Sequence, residues 1–289
     1  MGGSKSTQQK DQIEDKPWRN FDWGEKEALQ RHLENFSERK PDVNVRILVT
    51  GQIGAGKSSF INSVNSAFQG KIVCEALVDA TVGTSSSFTQ RFQTYRICNK
   101  NGELPFVFGD IMGLESPSLS GLQVDDVIST ILGHVTENCK FQAGKTLTSE
   151  DDNYNKNPTV SDQSFCLVYI IAADTVTLAD KVLFEKLRLI RHRISDQGIP
   201  QVIVMTKVDE ACPLVKKDLR KIYTSTKIKK LVDFCSAEVG VPKTCIFPVK
   251  TYHDEINTNP DVDVLILKAL DQIVDSAARR FQKGFYTLK

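Results

Sequence analysis

Gly51-Gln52-Ile53-Gly54-Ala55-Gly56-Lys57-Ser58 decides how the rest of this sequence reads. The spacing is G-x-x-x-x-G-K-S, a P-loop signature. Before it runs Val43-Asn44-Val45-Arg46-Ile47-Leu48-Val49-Thr50, apolar and β-branched like a buried strand. After it, Ser58-Ser59-Phe60-Ile61-Asn62-Ser63-Val64 carries apolar residues at helical spacing. Strand, glycine loop and helix together present backbone N–H groups and a helix N-terminus to phosphate oxygens. Gly51 and Gly56 let the backbone curl with no side chain in the way. Lys57 is expected to reach the β- and γ-phosphates and Ser58 to ligate Mg²⁺. Gln52, Ile53, Gly54, Ala55 and Ser59 complete the expected phosphate-contacting set.

Downstream, strands and helices alternate. Gln69 to Ser87 reads as a small, polar loop passing over the nucleotide. Phe88 to Ile97 alternates like a strand, Asn99-Lys100-Asn101-Gly102 signals a hairpin, and Leu104-Pro105-Phe106-Val107-Phe108 returns. Val124 to Val135 reads as a helix. Residues 136–163 form a polar surface insertion. Its Gly144-Lys145-Thr146 is no second P-loop, because Cys139 stands where the first glycine belongs and no strand leads in. Phe165 to Ala173 is a continuous apolar run, as a central parallel strand requires. A helix from Leu178 to Ser195, a strand from Pro200 to Met205, a basic helical stretch from Leu214 to Val239, a strand from Thr244 to Val249 and a last helix opening at Pro260 complete the pattern. The expected fold is α/β: a mostly parallel central sheet with one antiparallel strand and helices on both faces, around a P-loop. Ligands in such sheets sit beyond the C-terminal strand ends, where every motif here falls.

Two further motifs follow strands. Asp110-Ile111-Met112-Gly113 has the D-x-x-G form: Asp110 would hold Mg²⁺ through water and the Gly113 N–H would contact a γ-phosphate. Thr206-Lys207-Val208-Asp209 has the T/N-K-x-D form. Its carboxylate can accept from both N1–H and N2–H of guanine, while Lys207 lies along the base face. Adenine offers neither donor in that geometry. The last base-contacting loop should follow Val249, where Lys250 and Thr251 stand.

At the start of the chain, residues 1–16 read as a disordered tail. Met1-Gly2-Gly3-Ser4-Lys5-Ser6 fits the myristoylation pattern at Gly2, a weak lipid anchor, and also fits an engineered Gly-Ser start. Residues 17–40 read as a helical extension. Asp22-Trp23-Gly24-Glu25 resembles a capping box, and Ala28, Leu29, Leu33 and Phe36 form one stripe. Trp18 and Phe21 would staple it to the G domain of residues 41–289. A helix packed on the domain edge and a partner-binding helix both fit.

The bulk numbers exclude several classes. With 37 Lys and Arg against 36 Asp and Glu, the net charge of +1 argues against a nucleic-acid binder driven by a global positive field. The seven cysteines show no C-x-x-C spacing, hence no zinc or redox signature, and they suit a reducing, cytoplasmic setting. No stretch is long and apolar enough to span a bilayer, and no secretory signal is read.

Three motifs in this order resemble the guanine-nucleotide-binding fold of the Ras-like and dynamin-like superclass. Threonine in place of asparagine at position 206 looks more like the dynamin-related and interferon-inducible branches. Gly51 to Gly70, Ala76-Leu77-Val78, Ser87-Phe88-Thr89-Gln90-Arg91, Asp110 to Leu114, Leu265-Ile266-Leu267 and Pro17-Trp18 together resemble the interferon-induced protein 44 family, over most of residues 17–280. Longer members of that family carry an additional N-terminal domain that this sequence does not span. The resemblance implies a cytosolic, interferon-inducible antiviral or immune-regulatory protein that binds GTP or GDP with Mg²⁺. By resemblance to related immune GTPases, Thr89 has the placement of the switch threonine that closes on Mg²⁺, with Thr81 and Thr84 as competitors.

Three functions follow: a GTPase, a nucleotide-stabilised interaction scaffold, or a membrane-associated effector. The water-orienting glutamine of Ras-like enzymes falls here at Leu114, so intrinsic hydrolysis is expected to be slow. Arg91 is a candidate to be supplied across a homodimer formed through the nucleotide face, and an unknown protein partner is the alternative. The basic run from Lys216 to Lys230 reads as a solvated helix face.

Overall fold

Central apolar runs become the middle of one sheet. The computed structural model describes residues 12–36, 44–76, 91–111, 113–114, 122–142 and 144–286. Its sheet is built from β1 (Val45–Gly51), β2 (Gln93–Asn99), β3 (Gly102–Asp110), β4 (Cys166–Ala172), β5 (Gln201–Thr206) and β6 (Ile246–Pro248), in the order β2-β3-β1-β4-β5-β6. Only β2 and β3 pair antiparallel; the other neighbours are parallel. The expected mixed α/β sheet is therefore the observed one. β4 is buried at every position, which is why it reads as an unbroken apolar run rather than an alternating one. β1 lies between β3 and β4, so the chain leaves it for one side of the sheet and later returns on the other. In open α/β sheets that reversal, beyond the carboxyl ends of the strands, is where a ligand crevice lies.

The helices are α1 (Lys26–Glu34), α2 (Lys57–Gln69), α3 (Val124–Ile131), α4 (Lys181–Asp196), α5 (Val208–Ala211), α6 (Pro213–Lys217), α7 (Thr226–Val239) and α8 (Pro260–Tyr286). The helix expected over Val124–Val135 ends at Ile131, the one expected from Leu178 begins at Lys181, and the strand expected over Thr244–Val249 is Ile246–Pro248; two further differences have a visible cause. Glu25, not Asp22, is the N-cap of α1, and it makes no side-chain capping bond; Asp22 Oδ1 accepts from the Gly24 N–H at 2.8 Å instead. A short Asx turn satisfies that carboxylate locally, so no capping box forms. The stretch expected as one helix from Leu214 to Val239 is broken twice. Asp218 is extended and its side chain accepts from the Arg220 N–H; Ser225 caps α7 by accepting from the Ile228 N–H. Each of these short polar side chains offers the backbone a better partner at a helix start than within a helix.

The segment before α1 is strapped onto the domain. Trp18 stands edge-on to Tyr223 and Phe21 stacks on it. The Arg19 guanidinium donates to Ile246 O at 2.7 Å and Lys243 O at 2.6 Å, fixing the strap to the β6 edge. α1 docks against the start of α8 through Leu29 and Leu33, with Lys26 2.8 Å from Asp263 and Lys268 2.9 Å from Glu25. Residues 136–163 turn back along β2: the Phe92 N–H donates to Cys139 O and the Asn138 N–H to Phe92 O, while Cys139 and Phe141 enter the core. Among the described residues no helix is long and apolar enough to cross a membrane.

Candidate functional site

β1 ends at Gly51, and from there to Lys57 the backbone does what only glycine allows. Gly51 has φ +154°, and a Cβ there would sit 2.2 Å from Ile170 O on the paired strand. Gly54 (φ +70°) and Gly56 (φ +90°) are left-handed, and Gly56 is the N-cap of α2. The loop thus curls over the open end of α2, whose first N–H groups have no partner within the helix. Lys57 and Ser58, in the first turn, are only 7% and 9% exposed. Gln52 and Gly54 are exposed on the loop, Ile53 is half-buried, and Ala55 and Ser59 are buried.

β3 brings Asp110 to the same place. Ser58 Oγ donates to Asp110 Oδ2 at 3.0 Å, and Asp110 is 1% exposed. A hydroxyl and a carboxylate in contact at the mouth of a phosphate loop are hard oxygen donors of the kind Mg²⁺ takes, with phosphate oxygens and waters supplying the rest. Among the described residues no cluster of three or more His, Cys, Asp or Glu offers an all-protein metal cage. The Ser58–Asp110 pair fits Mg²⁺ as part of such a ligand set. Gly113 packs directly on the loop: a Cβ would lie 2.6 Å from Ile53 Cγ1 and 2.9 Å from Ile53 N. Its neighbour Leu114 donates its N–H to Gly51 O at 2.9 Å and buries its side chain completely.

β5 supplies the third strand end. Thr206, grouped by sequence with the base-contacting residues, is fully buried, and its hydroxyl donates to Ala55 O at 2.6 Å. It is a strut under the phosphate loop, because that hydroxyl is already committed there. Lys207 takes a left-handed conformation (φ +55°, ψ +34°), rare for a side chain this long. That kink turns the chain into α5, where Asp209 is 7% exposed.

The loop after β6 closes the site. Lys250 Nζ lies 3.5 Å from Asp209 Oδ2 and 2.8 Å from Glu255 Oε1, and Thr251 is buried beside it. Burial pulls the Lys250 pKa down, but its bonds to Glu255 and Asp209 outweigh burial and raise it. Burial likewise opposes ionisation of Glu255, yet the Lys250 ammonium and the His253 N–H bring its carboxyl to about 2. The structure thus brings Asp110 and Gly113 to the phosphate loop and Lys250 to Asp209, with Thr206 linking the β5 end to that loop. Thr81, Thr84, Thr89 and the Gly2 pattern lie outside the described residues. Arg91 donates to Asn138 O at 3.1 Å, on the insertion side of β2.

Sequence reading missed three supports of the site. Ser63 on α2 accepts from the Tyr252 N–H at 2.9 Å, which locks the last loop to the phosphate helix. The Tyr252 hydroxyl donates to Asp263 Oδ1 at 2.6 Å, and Asp263 also meets Lys26 of α1. Burial and that carboxylate raise the tyrosine's pKa. Asn62 receives the N–H groups of Glu75 and Ala76 and donates to Ala76 O, holding the chain as it leaves α2. The polar residues of α2 gave a signal: a helix this buried has no reason to carry Asn62, Ser63, Asn65 and Ser66 unless they have partners.

No family model matches the chain. Interferon-induced protein 44 of Mus musculus is 32% identical to it over 234 residues, which is 80% of this chain and 54% of that protein. The chain is a relative of the interferon-induced protein 44 proteins. Interferon-induced protein 44-like of Homo sapiens is 29% identical over 258 residues (87% of this chain, 56% of the relative), and Homo sapiens interferon-induced protein 44 is 31% identical over 236 residues (81% and 52%). This chain spans about half the length of these relatives. Among solved structures, Toc33 from Arabidopsis thaliana in complex with GDP and Mg²⁺ is similar at TM-score 0.49 and 14% identity, covering 89% of this chain and 97% of that one. A probable GTP-binding protein engB is similar at TM-score 0.42 and 13% identity, covering 81% and 100%.

Proposed function

We propose that this chain binds GTP or GDP with Mg²⁺ and that the isolated protein hydrolyses GTP slowly. The observation that carries the reading is the fastening of two strand ends. The Thr206 hydroxyl ties the end of β5 to Ala55 in the phosphate loop, which supports reading the Ser58–Asp110 pair, Lys57 and the Asp209 carboxylate as parts of one site. Phosphates would lie on the α2 N-terminus under Lys57. Mg²⁺ would be held by Ser58, with Asp110 behind it, and would neutralise charge building on the phosphate oxygens. Asp209 would accept from the guanine edge, a pairing that adenine cannot make. Leu114 supports slow turnover. Its side chain is wholly in the core, so no polar group at that position faces a γ-phosphate to orient water. A place in the interferon-induced response is proposed from the relatives alone.

The test is to identify nucleotide released on denaturing freshly purified protein, then to titrate GTP and ATP with and without Mg²⁺. Guanine nucleotide in the eluate and a strong GTP preference are expected. Equal affinity for ATP would overturn the reading. Single-turnover hydrolysis is expected at about 10⁻⁴–10⁻³ per second, the order of an unassisted Ras-like site. Fast turnover independent of protein concentration would refute that half.

A further inference from the structure

Glu255 belongs to no motif, yet it is the best-anchored charge beside the base-recognition carboxylate. Its Oε2 accepts from the backbone N–H groups of His253 at 3.0 Å and Asp254 at 3.2 Å, and its Oε1 lies 2.8 Å from Lys250 Nζ. The His253 ring nitrogen Nδ1 is 3.8 Å away. Lys250 therefore stands between two carboxylates, one close and one at 3.5 Å. A charge-assisted N⁺–H···O⁻ bond is about 2.7–2.9 Å long. The lysine thus makes its full bond to Glu255 and only a loose one to Asp209.

That asymmetry matters for what Asp209 can accept. A carboxylate that takes two N–H groups from a purine edge needs its lone pairs open, and an ammonium seated on it competes for them. Lys250 is about a quarter exposed and Asp209 is nearly buried, so the lysine cannot drift far from the crevice without giving up a partner. With Glu255 fixed by the backbone N–H groups of His253 and Asp254, the nearer of the lysine's two carboxylates is held in place. We propose that Glu255 is a positioning residue for base recognition: it holds the Lys250 ammonium off Asp209 and so keeps Asp209 open to the donors of a guanine edge. The inference rests on the guanine-nucleotide reading above. It adds that selectivity depends on a second carboxylate which never touches the base. In its absence, Asp209 is the carboxylate left to Lys250 among the described residues, and the lysine collapses onto it.

The test is a double-mutant cycle on the full chain, measured as GTP·Mg²⁺ affinity for the parent, E255Q, K250M and E255Q/K250M. E255Q is expected to weaken GTP binding about tenfold when Lys250 is present, the scale of one charged hydrogen bond. In the K250M background the same change is expected to cost less than about twofold, because no ammonium remains to be held off. A loss of equal size in both backgrounds would show Glu255 acting only by capping the 253–254 turn, and no loss in either would show it idle; each overturns the inference. If E255Q does not fold, Glu255→Asp replaces it in the same cycle. It keeps the charge but reaches Lys250 less well, so a smaller, Lys250-dependent loss is expected, and a Lys250-independent one refutes the idea. A GTP-selective parent with additive variants sinks this inference alone, whereas a parent that does not prefer GTP over ATP sinks the guanine reading and this inference with it.

Discussion

Thr206→Ala separates two roles that the T-K-x-D pattern leaves merged. If Thr206 is a strut, its hydroxyl matters to the loop and not to the base. The hydroxyl is fully buried and donates to Ala55 O at 2.6 Å, with Ile171 O a weaker second partner at 3.4 Å. Removing the donor from a buried carbonyl costs about 1–3 kcal/mol. At roughly 2–4 °C per kcal/mol for a chain of this size class, the middle of that range lowers the melting temperature by about 4–8 °C. The phosphate loop loses its tie to β5, so GTP and ATP should weaken by similar factors and the preference for GTP should survive. Thermal melting without nucleotide, followed by the two titrations, measures both effects. An unchanged melting temperature together with a collapsed GTP preference would refute the strut and restore Thr206 as a base contact.

Asp209→Asn should weaken GTP and relatively favour xanthosine nucleotides, whose N1/C2 edge presents an acceptor; a nearly buried polar pairing of this kind can discriminate by roughly 10⁴-fold. Competition between GTP and XTP reads it, and an unchanged GTP:XTP ratio refutes the role. Gly113→Ala should destabilise the protein and loosen Mg²⁺-dependent binding, because its Cβ would overlap Ile53 and push Leu114 N off Gly51 O. Gly54→Ala meets open space and pays only for its left-handed φ, so its melting temperature should fall less; the reverse order would be contrary. For pH, the Glu255 carboxyl is brought below its ordinary 4.5 to about 2. Its contribution to stability is therefore complete above about pH 4.5 and is lost as pH falls toward 2. The stability gap between parent and E255Q should close over that window, and a gap constant from pH 5 to 2 would contradict it.

Much of the fold was legible because its signals are local. The P-loop needs glycine at fixed places, since Gly54 and Gly56 are both left-handed. β4 is buried on both faces, and the hairpin turn at Asn99 to Gly102 carries its own residues. Aspartate at the end of β3 and the Thr206–Asp209 run after β5 sit at strand ends by the same logic. Helix interruptions were not legible: Asp218 and Ser225 look like the polar face of a helix until tertiary packing lets them cap new starts.

Sequence by itself determined a strand–loop–helix with the spacing of a phosphate cradle, Asp110 at the end of β3 and Asp209 just past the end of β5. It could do so because backbone sterics and one-dimensional spacing fix those features. Only the tertiary structure decided that Thr206 props the loop, that Leu114 is core, that Ser63 and Tyr252 join the last loop to α2, and that Glu255 claims Lys250. Those outcomes pair residues brought together from different elements, or depend on which way a side chain turns, and neither is written in the order of residues along the chain.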